Sequence, residues 1–166
     1  MSYWENLGAT DEWYTPKYIF DAMDTFFDLD VAHPVGDIIT PSSKVITENS
    51  LNKNWSGFIW MNPPFGGRNS ILPWLEKFFL HSGIALTPDR TSAPWYHYAL
   101  QKSSSFLIVK GKVKFLRPDG TKGKSPSTGT TLFGSGEKAD SVLFHAAKNG
   151  LGVYCETFHI GDLDGP

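Results

Sequence analysis

A single cysteine, Cys155, among 166 residues excludes an internal disulfide, and its setting in "LGVYCETF" reads as a small buried residue in a strand. No stretch approaches the eighteen or so consecutive apolar residues of a membrane-spanning helix, and hydrophobic and charged contents of 40% and 19% are those of a globular chain. The five histidines show neither CxxC nor HExxH spacing, so no metal site is expected. The first residues, "MSYWENLGATDEW", lack a basic start followed by an apolar core, so a cytoplasmic location is expected rather than secretion. Positive charge in excess is also missing: the net charge is -2, which argues against a chain that binds nucleic acid over its whole surface. At this length one domain is expected, with residues 1–11 as an extension and no room for a second, target-recognising domain.

What is present is uneven. Residues 110–124, "KGKVKFLRPDGTKGK", hold six of the fifteen Lys and Arg residues and one acid. Such a run is either a solvated hairpin or, if other residues point to nucleic acid, a surface for phosphates. "TPKYIFDAMDTFF" predicts a helix with Thr15 as cap, Pro16 at the first position, and Ile19, Phe20, Met23, Phe26 and Phe27 in one apolar stripe. "FDLDVAHP" predicts a buried strand running into a ligand-facing loop, "DIITPSS" a loop, "KVIT" a short strand and "GFIWM" the clearest strand of all. A helix in "SILPWLEKFFLH", a strand in "GIALTP" and a further helix after "DRTSAP" come next. "SSFLIVK" and "KVKFL" predict consecutive strands about Gly111, "TTLFGSG" another, "EKADSVLFHAAKNG" a helix closed by Asn-Gly, and "LGVYCETF" a last strand or extended tail. Alternating strands and helices predict an α/β fold, Rossmann-like, with a mostly parallel sheet flanked by helices and an antiparallel edge. Ligands of such sheets bind outside the carboxyl ends of the strands, where "DVAHP" and "NPPF" fall.

The stretch "GFIWMNPPFGG", residues 57–67, sends an apolar strand straight into Asn62, Pro63, Pro64 and Phe65. Two prolines fix two successive φ angles and remove two backbone donors, which leaves carbonyls and the Asn62 side chain as rigidly held acceptors. A base's exocyclic amine is a poor nucleophile because its lone pair is delocalised into the ring. Two acceptors on its N–H groups favour a more tetrahedral nitrogen and stabilise the positive charge that develops on it. An aromatic ring beside them offers a stacking surface for an extruded base.

With these residues the chain resembles the amino-group methyltransferases that use S-adenosylmethionine, and in its wider pattern the phage-encoded DNA N6-adenine methyltransferases (phage Dam-type). The resemblance runs from Glu12 to about Phe133 through "DEWYTP", "LDVA", "SLNKNWSGFIWMNPPF", "TPDRTSAPWYH" and "VKGKVKF". It implies that Asn62, Pro63, Pro64 and Phe65 are catalytic and that Trp13, Tyr14, Thr15, Pro16, Asp30 and Ala32 line the cofactor site. Thr15 would take the methionine carboxylate and Asp30 the amino group. Either Glu48 or Asn49 would accept from the ribose hydroxyls. Taken alone, Thr15 is also a helix cap, Asp30 a turn residue and Glu48 solvated surface. Arg68, Arg90, Trp95, Lys110, Lys112 and Lys114 would contact DNA, with Arg90 and Trp95 beside the extruded base. Three features depart from the family pattern: no glycine-rich nucleotide loop is present, Phe65 replaces a more usual tyrosine, and Lys112 stands where arginine is common. Methyl transfer to RNA or to a protein amide, and a silent DNA-binding relative, stay open at this level.

Overall fold

The computed structural model describes residues 14–65, 70–117, 119–123 and 127–159. In chain order they form α1 (Lys17–Met23), β1 (Phe27–Asp30), β2 (Ser42–Val45), a 3-10 turn (Ser50–Asn52), β3 (Phe58–Met61), α2 (Leu72–Phe78) and β4 (Ser82–Pro88). After these come α3 (Pro94–Lys102), β5 (Ser105–Val109), β6 (Thr130–Ser135), α4 (Glu137–Lys148) and β7 (Gly152–Glu156). One seven-stranded sheet has the order β2-β1-β3-β4-β6-β5-β7. The first four strands are mutually parallel, and the β4/β6, β6/β5 and β5/β7 pairs are antiparallel. The expected α/β architecture is therefore present, with an antiparallel part that is three strands wide.

Burial explains the strand sequences. All four residues of β3, "FIWM", are buried, as a parallel strand covered on both faces demands. Trp60, Ile84 and Leu132 belong to one core layer, under α1 and α4, while Ile59, Ala85 and Phe133 belong to the opposite layer, under α2 and α3. Pleating sends successive side chains to opposite faces, so each strand feeds both layers. Gly83 is forced by this closeness: a Cβ there would lie 2.2 Å from the Ile59 carbonyl oxygen on the neighbouring strand. In α4 the first turn carries Glu137 and Asp140 and the last turn His145 and Lys148, charges that suit the helix dipole.

Several expectations need correction. The first helix stops at Met23 because Asp24 turns left-handed, φ 46°, and Phe27 opens β1 with none of its surface exposed. Phe26 is 59% exposed, so the expected stripe ends earlier than its apolar pattern suggests. Thr15 makes no cap bond, and Pro16 sits at the N-cap rather than inside the helix. β2 covers Ser42–Val45, taking in the end of the expected loop and only half of "KVIT". "KVKFL" is not a sheet strand, because both edges of β5 are already occupied by β6 and β7. The segment stays extended nonetheless: Val113 and Phe115 are buried while Lys110, Lys112 and Lys114 are exposed, the alternation its sequence shows. Cys155 lies in β7 as a half-buried free thiol.

Candidate active site

The connection from β1 goes to β2 on one side, while β3 lies against β1 on the other. This reversal opens a crevice at the carboxyl ends of β1 and β3, where the register places Asp30 beside Trp60. The chain between β1 and β2, residues 31–41, contains no helix, so the crossover folds back over the strand ends and lines the crevice itself. A small cleft, partly open to solvent, results. Tyr14, Thr15, Asp30, Ala32 and Asn62 line it together with His33, Pro34, Ile39, Thr40 and Trp60.

Asp30 is 3% exposed. One carboxylate oxygen accepts from the Thr40 hydroxyl at 2.6 Å and the other from the Ala32 amide at 3.0 Å. Burial pushes its pKa up, and these two hydrogen bonds together with neighbouring His33 offset only part of that rise. Each oxygen keeps capacity for a further donor. His33 is buried too; its Nδ1 lies 2.6 Å from the Pro34 carbonyl and its Nε2 accepts from the Ile39 amide at 3.3 Å. A neutral ring protonated at Nδ1 satisfies both partners. The ring also meets Tyr14 edge-on, with centroids 5.7 Å apart.

Asn62 leaves β3 just past Met61 and donates through Nδ2 to the Thr15 hydroxyl at 3.2 Å. That bond fixes the amide orientation and turns its Oδ1 into an uncommitted acceptor. Thr15, 5% exposed, thus ties the segment before α1 to the strand end that carries Asn62. Pro63 is buried, Pro64 exposed and Phe65 half-buried. Phe65 packs edge-on against Trp95, centroids 5.3 Å apart, and the Arg90 guanidinium carbon lies 6.0 Å from the Phe65 ring centre. Two of the residues expected to flank a base are thereby brought against the residue expected to stack on it. Nearby, Asp89 accepts from the Thr131 hydroxyl at 2.6 Å, and Tyr96 bonds the same hydroxyl at 2.7 Å, which fixes the turn after β4 that bears Arg90.

Other expected residues lie elsewhere. Glu48 and Asn49 are both exposed beyond β2 and outside the cleft lining; the Asn49 side-chain oxygen accepts from Asn52 at 2.7 Å. Pro16 is buried at the head of α1. Lys110, Lys112 and Lys114 stand on the surface after β5. Trp13 and Arg68 lie outside the described residues. Sequence reasoning missed His33, Ile39, Thr40 and Trp60. His33 had a signal, since it sits close behind the strand end in "DVAHP"; Thr40 had none, because only the fold of the 31–41 crossover returns it to Asp30.

Among the described residues no helix is long and apolar enough to cross a membrane, and no cluster of three or more His, Cys, Asp or Glu could hold a metal ion. A rigid acceptor at a strand end, an aromatic ring beside it and a cleft with a buried carboxylate suit transfer to an amine. The family model described as DNA N-6-adenine-methyltransferase (Dam) matches residues 6–133, more than half of the chain. The chain belongs to the Dam family. Searches of curated proteins and of solved structures give no match. Dam membership implies transfer of a methyl group from S-adenosylmethionine to N6 of adenine, with DNA as substrate. The cleft could take the amino-acid end of that cofactor: an ammonium requires an acceptor such as the buried Asp30 carboxylate, and a carboxylate requires a donor such as the Thr15 hydroxyl, whose hydrogen is not used in the bond it accepts from Asn62.

Proposed function

We propose that this Dam protein methylates adenine N6 at a short or relaxed target sequence, with Asn62 and Phe65 at the reacting base and Asp30 at the cofactor. The observation that carries the assignment is the Thr15–Asn62 bond, which commits the Asn62 side-chain nitrogen to the protein and leaves its oxygen as an acceptor on a residue that lines the cleft. In this reading Asn62 Oδ1 and the Pro63 carbonyl accept from the two N–H bonds of the exocyclic amine, orienting its lone pair and stabilising charge as it develops. Phe65 stacks on the extruded adenine, with Trp95 bracing the ring and Arg90 close by for the flanking phosphate. Pro64 contributes rigidity, holding Phe65 at a fixed distance from Asn62.

The cofactor supplies an electrophilic methyl group when bound. Asp30 and Thr15 hold its amino-acid end, with Tyr14 and Ala32 as walls, and Trp13 and Pro16 contribute to the same site. Glu48 or Asn49 reaches the ribose hydroxyls. Lys110, Lys112 and Lys114, with Arg68, track the DNA backbone, a role that supports affinity rather than base choice. The short-site reading is supported by the described residues, which form one sheet with four helices and hold no second recognition unit among them. Competition between DNA, RNA and protein acceptors for labelled methyl groups tests the acceptor. DNA should take nearly all of the label, and preferential labelling of RNA or protein would overturn the assignment.

A further inference from the structure

The two edges of the sheet differ in how they meet solvent. β2, at one edge, reads Ser-Ser-Lys-Val and exposes Lys44, a charge that discourages another strand from pairing there. β7, at the other, reads Gly-Val-Tyr-Cys-Glu, with no lysine, no proline and one charge at its end. The Lys110 N–H donates to the Leu151 carbonyl at 2.8 Å and the Thr157 N–H to the Ser104 carbonyl at 3.2 Å, which fixes the phase of the β5/β7 ladder. In that phase Val153 and Cys155 turn their N–H and C=O groups to β5, while Gly152, Tyr154 and Glu156 turn theirs away from it. Among the described residues none bonds those three outward sets. Apolar side chains flank the same edge on both faces. Beneath α4, Tyr154 meets Phe144 edge-on, centroids 5.5 Å apart, and Phe144 is 52% exposed. On the opposite face Val153, 65% exposed, stands beside Ile108, which is exposed as well.

This edge is complementary to itself. Antiparallel pairing of two copies of β7 about Tyr154 satisfies every outward group: Tyr154 exchanges two backbone bonds with the partner's Tyr154, and Gly152 does so with the partner's Glu156. We propose that β7 is a dimer interface, joining the sheets of two copies of this chain edge to edge in that register. The Tyr154 and Phe144 rings of both copies then form one cluster, and Val153 seats against the partner's Cys155. Glu156 comes opposite the partner's Gly152, on the face where the partner's α4 ends in Lys148, so the charges that meet are opposite. The two Glu156 side chains lie at opposite ends of the pairing and do not repel each other. The twofold axis stands perpendicular to the sheet, so both α4 helices share one face. The two clefts open at opposite edges, and neither blocks the other. The dimer does not depend on the reaction proposed for the cleft.

Sedimentation of the full chain without DNA, over a range of protein concentrations, tests the pairing. The wild-type protein should approach twice its 18.5 kDa mass as concentration rises. Glu156→Pro removes an outward donor without touching a bond to β5, and Val153→Lys adds the kind of charge that β2 carries. Each variant should sediment as a monomer with an unchanged far-ultraviolet dichroism spectrum. Val153→Cys reads the register, because the non-hydrogen-bonded pair it forms with the partner's Cys155 has Cα atoms about 4.5 Å apart, within disulfide reach. Mild oxidation should cross-link that variant into a dimer, and adding Cys155→Ser should abolish the link. A wild-type protein that stays monomeric, which would leave the edge to a different chain, overturns the proposal. So does a dimer that survives Val153→Lys or Glu156→Pro, or a Val153→Cys protein that does not cross-link through Cys155.

Discussion

In the proposed reaction the chemistry turns on Asn62, and its neighbours explain why asparagine suits that position. An aspartate would lose the N–H group that bonds Thr15, and an alanine would remove both that bond and the outward acceptor. Asn62→Ala should lower the methyl-transfer rate at saturating substrates by about 10²–10³-fold, the loss typical of one preorganised polar contact to developing charge, as measured by single-turnover kinetics. Cofactor affinity in that variant should change little. Asp30 gives a prediction in pH. Burial raises its pKa, so the carboxyl resists ionisation in the free protein, and a bound ammonium favours the ionised form. Cofactor affinity should therefore rise as pH increases through the raised pKa of Asp30 and level off above it; calorimetry across that range checks the slope. For stability the sign is opposite. A raised folded pKa makes the ionised Asp30 a destabilising group, so stability conferred below the unfolded pKa is lost as pH rises through the folded one, and Asp30→Asn should remove this loss. Asn62 and Phe65 were legible in the sequence because two prolines after an apolar run hold the chain rigid between them. The Asp30–Thr40 pair was not, since nothing local joins residues ten apart in an irregular loop.

Elements place these residues, and here the sequence was most readable where burial was complete. The continuous apolar run of β3 and the helical spacing of α4 declared themselves. The 105–116 region did not, because alternation alone cannot tell a sheet strand from an extended segment that packs one face against the core. Val113 and Phe115 bury their side chains like strand residues while the lysines between them face water. Phe115→Ala should lower unfolding stability by about 3–5 kcal/mol in urea titrations, as for other fully buried aromatic rings. Its effect on DNA affinity should exceed that of any single lysine substitution, since the whole basic segment loses its anchor. A second element-scale test lies at the entry to β3. Gly57 has φ +79°, and a Cβ there would approach the Asp28 side chain to 2.5 Å, displacing the carboxylate that accepts from the Phe58 amide at 2.6 Å. Gly57→Ala should destabilise by about 1–3 kcal/mol, combining backbone strain with a weakened hydrogen bond.

For the whole molecule, charge and size set the terms of DNA binding. The net charge is -2 while one segment carries six of fifteen basic residues, so attraction to DNA is local. The logarithm of affinity should fall linearly with that of salt concentration, and Lys112→Gln should reduce the slope by about 0.9, one phosphate contact. The sheet order brings the cleft, the Asn-Pro-Pro-Phe end of β3, the Arg90 turn after β4 and the start of the basic segment to one edge, which is where the proposed reaction would bring cofactor and DNA together. The central claim is that this edge transfers a methyl group to adenine N6 through Asn62. The direct measurement is digestion of DNA to nucleosides after incubation with labelled S-adenosylmethionine, comparing the wild-type protein with Asn62→Ala. The account predicts label in N6-methyladenine from the wild-type protein and almost none from the variant. Label found only in methylcytosine, or equal labelling by the variant, would contradict it.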